Sequence, residues 1–274
     1  MPTHQITLGQ FQCYALEDNS TITDVRNEFT QVPEDELLAA MQANGYKDFH
    51  VKIGFNNLLI KTPEHLVLID CGTGENNLVN SLREAGFSPD DIDYVVITHS
   101  DFDHIGGLDF FTNARIVFPK TAYDLWVTEI SREKMITSFV EVFSKLFPKN
   151  FVEEGVKYRR HYGSQKLPAL LSRIILVKEE EQFLPGLRMI ATPGHRPDHY
   201  AVEISSEEQT ILHIADGWRH KIQKEHPEWY SVYDNYPDQF AESIKLALNR
   251  ARDKKAMIFG SHFTWPGFDD SEMG

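Results

Sequence analysis

Thr98-His99-Ser100-Asp101-Phe102-Asp103-His104-Ile105-Gly106-Gly107 decides how this chain is read. His99, Asp101, Asp103 and His104 place four potential metal ligands within six residues. The stretch follows Asp93-Tyr94-Val95-Val96-Ile97, a short apolar run with the character of a buried strand. Ligands gathered where a strand runs out can converge on a small volume without a helix to space them. A merely solvated acidic loop would not need two histidines, a buried strand before it and a paired-glycine stop after it.

Three further signals follow in order. Thr192-Pro193-Gly194-His195 closes the apolar run Leu187 to Ala191. Ile211-Leu212-His213-Ile214-Ala215-Asp216 closes another on a carboxylate. Met257-Ile258-Phe259-Gly260-Ser261-His262 closes a third on a histidine. One histidine at a strand end is usually a satisfied structural residue. Three such endings after a dense ligand cluster point instead to the strand edge where α/β folds assemble sites.

Together with Asp70 in Leu68-Ile69-Asp70-Cys71-Gly72, this ordered set resembles the metallo-β-lactamase superfamily from about Gln5 to His262. The resemblance implies an α/β fold, an αββα sandwich with its metal site at one edge of two sheets. It implies two divalent ions, zinc foremost. One would be held by His99, Asp101 and His195, the other by Asp103, His104 and His262, with Asp216 bridging. The family's usual motif has His where this chain has Asp101. An ionised ligand there lowers the site's formal charge by one and acidifies bound water less. Its harder oxygen also turns preference toward iron or manganese. The flavodiiron branch carries an acidic residue here too, but the longer Glu.

Composition suits a soluble enzyme. The chain has 274 residues, 41% apolar content and a net charge of −14. That charge argues against nucleic acid as a partner, because phosphate backbones demand a basic surface. Two cysteines, Cys13 and Cys71, exclude a disulfide framework. Cys71 reads as a small buried residue. The start Met1-Pro2-Thr3-His4-Gln5 has no secretory pattern, and no apolar run is long enough to span a membrane, so a cytoplasmic location is expected.

Strands and helices alternate without repeats. Strands are expected over 6–15, 51–61, 65–70, 114–118, 173–177, 187–191, 200–204 and 210–214. Helices are expected from Pro33 to near Gly45, over 77–85 and over 238–252. We expect one domain over 1–274 with a helical insert at about 119–172. Phe139, Phe143 and Phe147 fall at i, i+4 and i+8 in that insert. Core packing is their default, and a lid over the metal edge or a homodimer interface is the alternative. Tyr158, His161 and Tyr162 read as surface residues unless the insert brings them to a substrate. Trp218, Trp229, Tyr230, Tyr233, Tyr236, Trp265 and Phe268 are candidate walls of an apolar pocket. His199 reads as structural.

The expected chemistry is attack by metal-activated water on a carbonyl or phosphoryl centre of a small molecule. Asp103 or Asp216 would orient the water and pass its proton to the leaving group, and His220 would be a transition-state donor or a support behind the ligands. The run from Ile214 to His220 and the ending Gly260 to Gly267 look most like acyl-homoserine-lactone lactonases and methyl-parathion-type hydrolases. That implies an ester, lactone or phosphotriester with apolar substituents. A glyoxalase-II-like thioesterase, a di-iron redox protein and a non-catalytic binding protein are the alternatives.

Overall fold

In a computed structural model that describes residues 4–269, the strands alternate inward and outward side chains as their sequences dictate. The chain begins with β1 (His4–Leu8), β2 (Phe11–Asp24), α1 (Glu34–Ala43), β3 (His50–Lys61), β4 (Leu66–Ile69), α2 (Asn76–Glu84) and β5 (Tyr94–Val96). It continues with α3 (Phe102–Ile105), β6 (Arg115–Pro119), α4 (Lys120–Val127), α5 (Glu129–Phe143), α6 (Lys149–His161), α7 (Leu167–Ala169) and β7 (Ile174–Val177). The last part holds β8 (Gln182–Leu184), β9 (Leu187–Ala191), β10 (Tyr200–Ser206), β11 (Gln209–Ala215), α8 (Pro237–Lys254), β12 (Met257–Gly260) and β13 (Phe268–Asp269).

Among the described residues, β1 to β7 form one sheet in sequence order, and β13-β12-β11-β10-β9-β8 form the other. In the first, the pairs from β4 to β7 are parallel. Cys13, Leu58, Ile60, Ile69 and Val96 from the first sheet meet Met189, Val202, Ile211 and Phe259 from the second, burying both inner faces together. On the outer face of the first sheet, Leu59, Leu68, Val95 and Ile116 pack under Leu78, Leu82 and Trp126 of α2 and α4. On the outer face of the second, Leu212, Ile214 and Ile258 pack against Phe240, Ile244 and Leu248 of α8. Helix, sheet, sheet, helix is the expected αββα order.

The strand expected over 6–15 is in fact a hairpin. Gly9 adopts φ +56°, and a Cβ there would lie 2.6 Å from the Ser206 carbonyl oxygen, so the chain turns where only glycine fits. The stretch between β6 and β7 is the parallel crossover, filled by α4 to α7. Of its phenylalanine stripe, Phe139 is buried and the rest is not core. Phe143, Phe147 and Phe151 are only partly covered or exposed, and they face a cavity. Trp218 and Trp229, expected at a pocket wall, are instead buried in the core. No helix of the described residues is long and apolar enough to cross a membrane.

The paired glycines let the ligand loop lie against the turn after β4. A Cβ on Gly107 would sit 2.1 Å from the Cys71 carbonyl oxygen, and one on Gly106 would sit 2.3 Å from that of Thr73. Gly107→Ala therefore forces backbone apart rather than a flexible side chain. It is expected to destabilise the protein by about 1–3 kcal/mol in urea unfolding and to lower bound metal. Wild-type stability in that variant would show that the close approach is not needed.

Candidate metal centre

Every ligand candidate lies just past a strand or in the short helix α3, at the same edge of the sandwich. His99 follows β5, Asp103 and His104 lie in α3, His195 follows β9, Asp216 follows β11 and His262 follows β12. Their donor atoms fall into two sets, His99, His195 and Asp216, and Asp103, His104 and His262, each within 4.8 Å. Asp216 joins them. Its Oδ2 lies 3.5 Å from His195 Nε2 and 2.9 Å from His262 Nε2, and its Oδ1 lies 3.2 Å from His104 Nε2.

The atoms at the centre lie in ion-pair contact but carry no hydrogen bond. His99 Nε2, His104 Nε2, His195 Nε2 and Asp216 Oδ1 are buried with no hydrogen-bond partner among the described residues. Buried polar atoms are almost always satisfied, so four orphans facing one another need a partner of another kind. Three imidazole nitrogens and a carboxylate oxygen are the donors that zinc takes. The residues fit the ions that the sequence implied.

The opposite ring nitrogens are tied down. His104 Nδ1 lies 2.7 Å from Asp70 Oδ2, His195 Nδ1 lies 2.8 Å from Asp234 Oδ1, and His262 Nδ1 lies 3.0 Å from the Gly54 carbonyl oxygen. Each contact turns Nε2 toward the centre and fixes the tautomer. Asp70 also accepts from the Thr98 amide and hydroxyl, at a left-handed φ of +58°, so it braces the start of the ligand loop. His199, read as structural, sits beneath: its Nδ1 faces the Thr192 carbonyl and its Nε2 accepts from the Asp216 amide. Cys71 is buried, and its thiol donates to the His104 carbonyl at 3.2 Å.

Electrostatics reinforce the need for a cation. Burial, then the His104 charge, keeps His99 neutral well below the usual histidine range. Burial also works against charge on His104, but Asp216, Asp103 and Asp70 overcome it and hold its proton well above that range. A metal must displace that proton, so affinity should fall as pH falls.

Asp101 brings the largest revision. Its Oδ2 lies 3.4 Å from His195 Nε2 and 3.9 Å from His99 Nε2, facing the first set. The same carboxylate is clamped by Arg196, at 2.7 and 3.1 Å, and by Arg159, at 3.2 Å. Burial alone would raise its pKa, yet Arg196 above all holds it well below the ordinary carboxylate value. The charge count suggested by the sequence thus lacks two buried cations. They offset the loss of one unit at this position.

His220 does not line the cavity. Its Nε2 lies 3.1 Å from the buried Glu28 carboxylate, and its ring packs edge-on against Phe29. The neighbouring Arg219 faces the cavity in its place. That cavity, of about 660 Å³, holds Asp101, Asp103, His195, Asp216 and His262 on one side and Phe139, Phe143, Phe147 and Phe151 on the other. The four rings stack in succession at 4.5, 5.4 and 4.7 Å. Tyr158 and Tyr233 line it too, whereas Tyr162 is buried and His161 is exposed. Sequence reasoning missed Asp234, Arg159 and Arg196, which meet their partners only through the fold.

Residues 56–262 match the model of the metallo-β-lactamase superfamily. An N-acyl homoserine lactonase of Bacillus thuringiensis is 27% identical over 191 residues, covering 69% of this chain and 63% of that relative. The dizinc quorum-quenching lactonase AidC, solved with a product, N-hexanoyl-L-homoserine, superposes with a TM-score of 0.82 at 26% identity, covering 97% of this chain and 92% of that one. The hydrolase AbOPH superposes with a TM-score of 0.80 at 21% identity, covering 97% and 91%, which speaks for the fold alone.

Two outcomes follow from the clamp and the histidine braces. Asp101→Ala leaves two buried guanidiniums without their anion and should cost about 3 kcal/mol in denaturant unfolding of metal-free protein. The clamp's stabilisation is full above the ordinary carboxylate pKa and fades as pH falls through the lowered value, so the deficit should shrink only in strong acid. A deficit under about 1 kcal/mol at neutral pH would show the clamp to be loose. Asp234→Ala should weaken zinc binding roughly 10- to 100-fold in competition with a chelator, and unchanged retention would dismiss the brace.

Proposed function

The chain belongs to the metallo-β-lactamase superfamily, and from that premise we propose that it is a hydrolase with two divalent ions, zinc foremost, acting on esters, lactones or phosphotriesters with apolar substituents. One observation carries this reading: four unpaired buried donors converge at the floor of a cavity whose far wall is a phenylalanine ladder. The lactonase activity stated for the similar Bacillus thuringiensis protein and for AidC supports the lactone class.

In this reading Asp216 joins the two sets, and Asp101 turns Oδ2, which Arg196 Nη2 also holds at 2.7 Å, toward His99 and His195, while Oδ1 takes Arg159 and Arg196 Nε. When bound, the ions would polarise the scissile group and acidify the attacking water. The protein's own residues do the rest. Asp103, whose Oδ2 lies 3.6 Å from His104 Nε2 and 3.5 Å from His262 Nε2, is the cavity-facing carboxylate that takes the proton and returns it to the leaving group. Phe139 to Phe151 hold the apolar substituent and exclude water from it. Neither step needs a serine or cysteine nucleophile. The case for iron or manganese rests on the harder oxygen of Asp101, and Arg196 and Arg159 share that carboxylate. A net charge of −14 supports a small-molecule substrate over nucleic acid.

A panel of acyl lactones, aryl esters, phosphotriesters, thioesters and β-lactams tests the reading. The best kcat/KM is expected among the first three. A preference for thioesters or β-lactams would overturn the substrate class. Phe143→Ala should raise KM for a long-chain substrate roughly tenfold, the worth of about 1.4 kcal/mol of lost apolar contact, and change it little for a short-chain one. Equal effects on both would remove the ladder from substrate binding.

A further inference from the structure

Of the three arginines lining the cavity, two are spoken for. Arg196 donates to Asp101, to the His195 and Tyr233 carbonyls and to Asn235. Arg159 lies on Asp101 and over the Phe139 ring at 3.7 Å. Arg219 differs. Its Nε donates to the Glu28 carboxylate at 3.2 Å, while Nη1 and Nη2 carry no hydrogen bond among the described residues. Nη1 comes no nearer to Asp216 Oδ2 than 3.8 Å. The side chain is only 12% exposed, so its free donors open to the cavity rather than to bulk water.

The group is also rigid. Glu28 is buried and is itself held by the Thr23 hydroxyl at 2.6 Å and by His220 at 3.1 Å. The guanidinium lies 5.0 Å over the Tyr233 ring. A planar fork with two unused donor nitrogens, fixed beside the Asp216 carboxylate, matches a group with two oxygens or one oxygen gaining charge.

We infer that Arg219 is a catalytic residue that donates to the oxygen on which charge builds during hydrolysis and then to the carboxylate or phosphoryl product, with Glu28 as its positioning residue. Arg219 thereby takes the donor role that the sequence suggested for His220. The inference rests on the hydrolase reading above, but product binding tests it separately.

The test compares wild type, Arg219→Met, Arg219→Lys and Glu28→Gln, each loaded with zinc and checked for metal content. The probe is ring-opened N-hexanoyl-L-homoserine, a carboxylate, measured by calorimetry, alongside kcat and KM on the best substrate of the panel. Arg219→Met should keep its metal, lose about 100-fold in kcat with little change in KM, and bind the probe about tenfold more weakly. Arg219→Lys, with charge but no fork, should fall between, and it is the variant to read if the methionine version does not fold. Glu28→Gln should shift both quantities the same way by less. Values of kcat and probe affinity within about threefold of wild type in both Arg219 variants would overturn the inference. So would loss of metal whose replacement restores full kcat. Wild type that binds the probe through Arg219 yet hydrolyses nothing would sink the hydrolase reading and leave the donor site standing. Active wild type with indifferent Arg219 variants would do the reverse.

Discussion

Buried polar atoms must be paired, and the whole edge of this sandwich is arranged so that four of them are not. His99, His104, His195 and Asp216 turn these atoms toward one another at the floor of the cavity. Left without a cation, such a cluster would be a serious cost to folding. The protein does not relieve it by rotating the rings. It locks them, through Asp70, Asp234 and the Gly54 carbonyl. Interactions that hold a strained arrangement in place are what a preorganised ligand set requires.

That constraint explains features that would otherwise look unrelated. Asp70 takes a left-handed backbone because it must reach back to both Thr98 and His104. Gly106 and Gly107 have no side chains because the ligand loop presses on the backbone of the turn after β4. His199, fully buried and pushed down to about 3 by its burial, stays neutral and accepts from the Asp216 amide rather than competing for a proton. Even Asp101, which breaks the family's histidine pattern, conforms: its extra negative charge enters together with two arginines.

The ligands were legible in the sequence because each occupies a strand end, and strand ends announce themselves through apolar runs that stop. The sandwich followed from the same runs and from the helix of Asp238 to Arg252. What was hidden lies in relations across the chain. Asp234 braces His195 from 39 positions further along the chain, and Arg159 reaches Asp101 from the crossover, with no spacing to betray either. The phenylalanine stripe had a helical period, but a period says only that one face is apolar. It does not say whether that face meets the core or a cavity. His220 was the candidate in the sequence; in the fold both it and its neighbour Arg219 bond Glu28, and of the two Arg219 lines the cavity.

Two metal ions are expected on either side of Asp216. Anomalous diffraction from crystals of the zinc-loaded protein measures this directly. Two zinc peaks about 3.5 Å apart are predicted, one among His99, His195 and Asp216 and one among Asp103, His104 and His262, with a carboxylate oxygen of Asp216 at each. A single peak, or two peaks with Asp216 outside the coordination of either, would contradict the account.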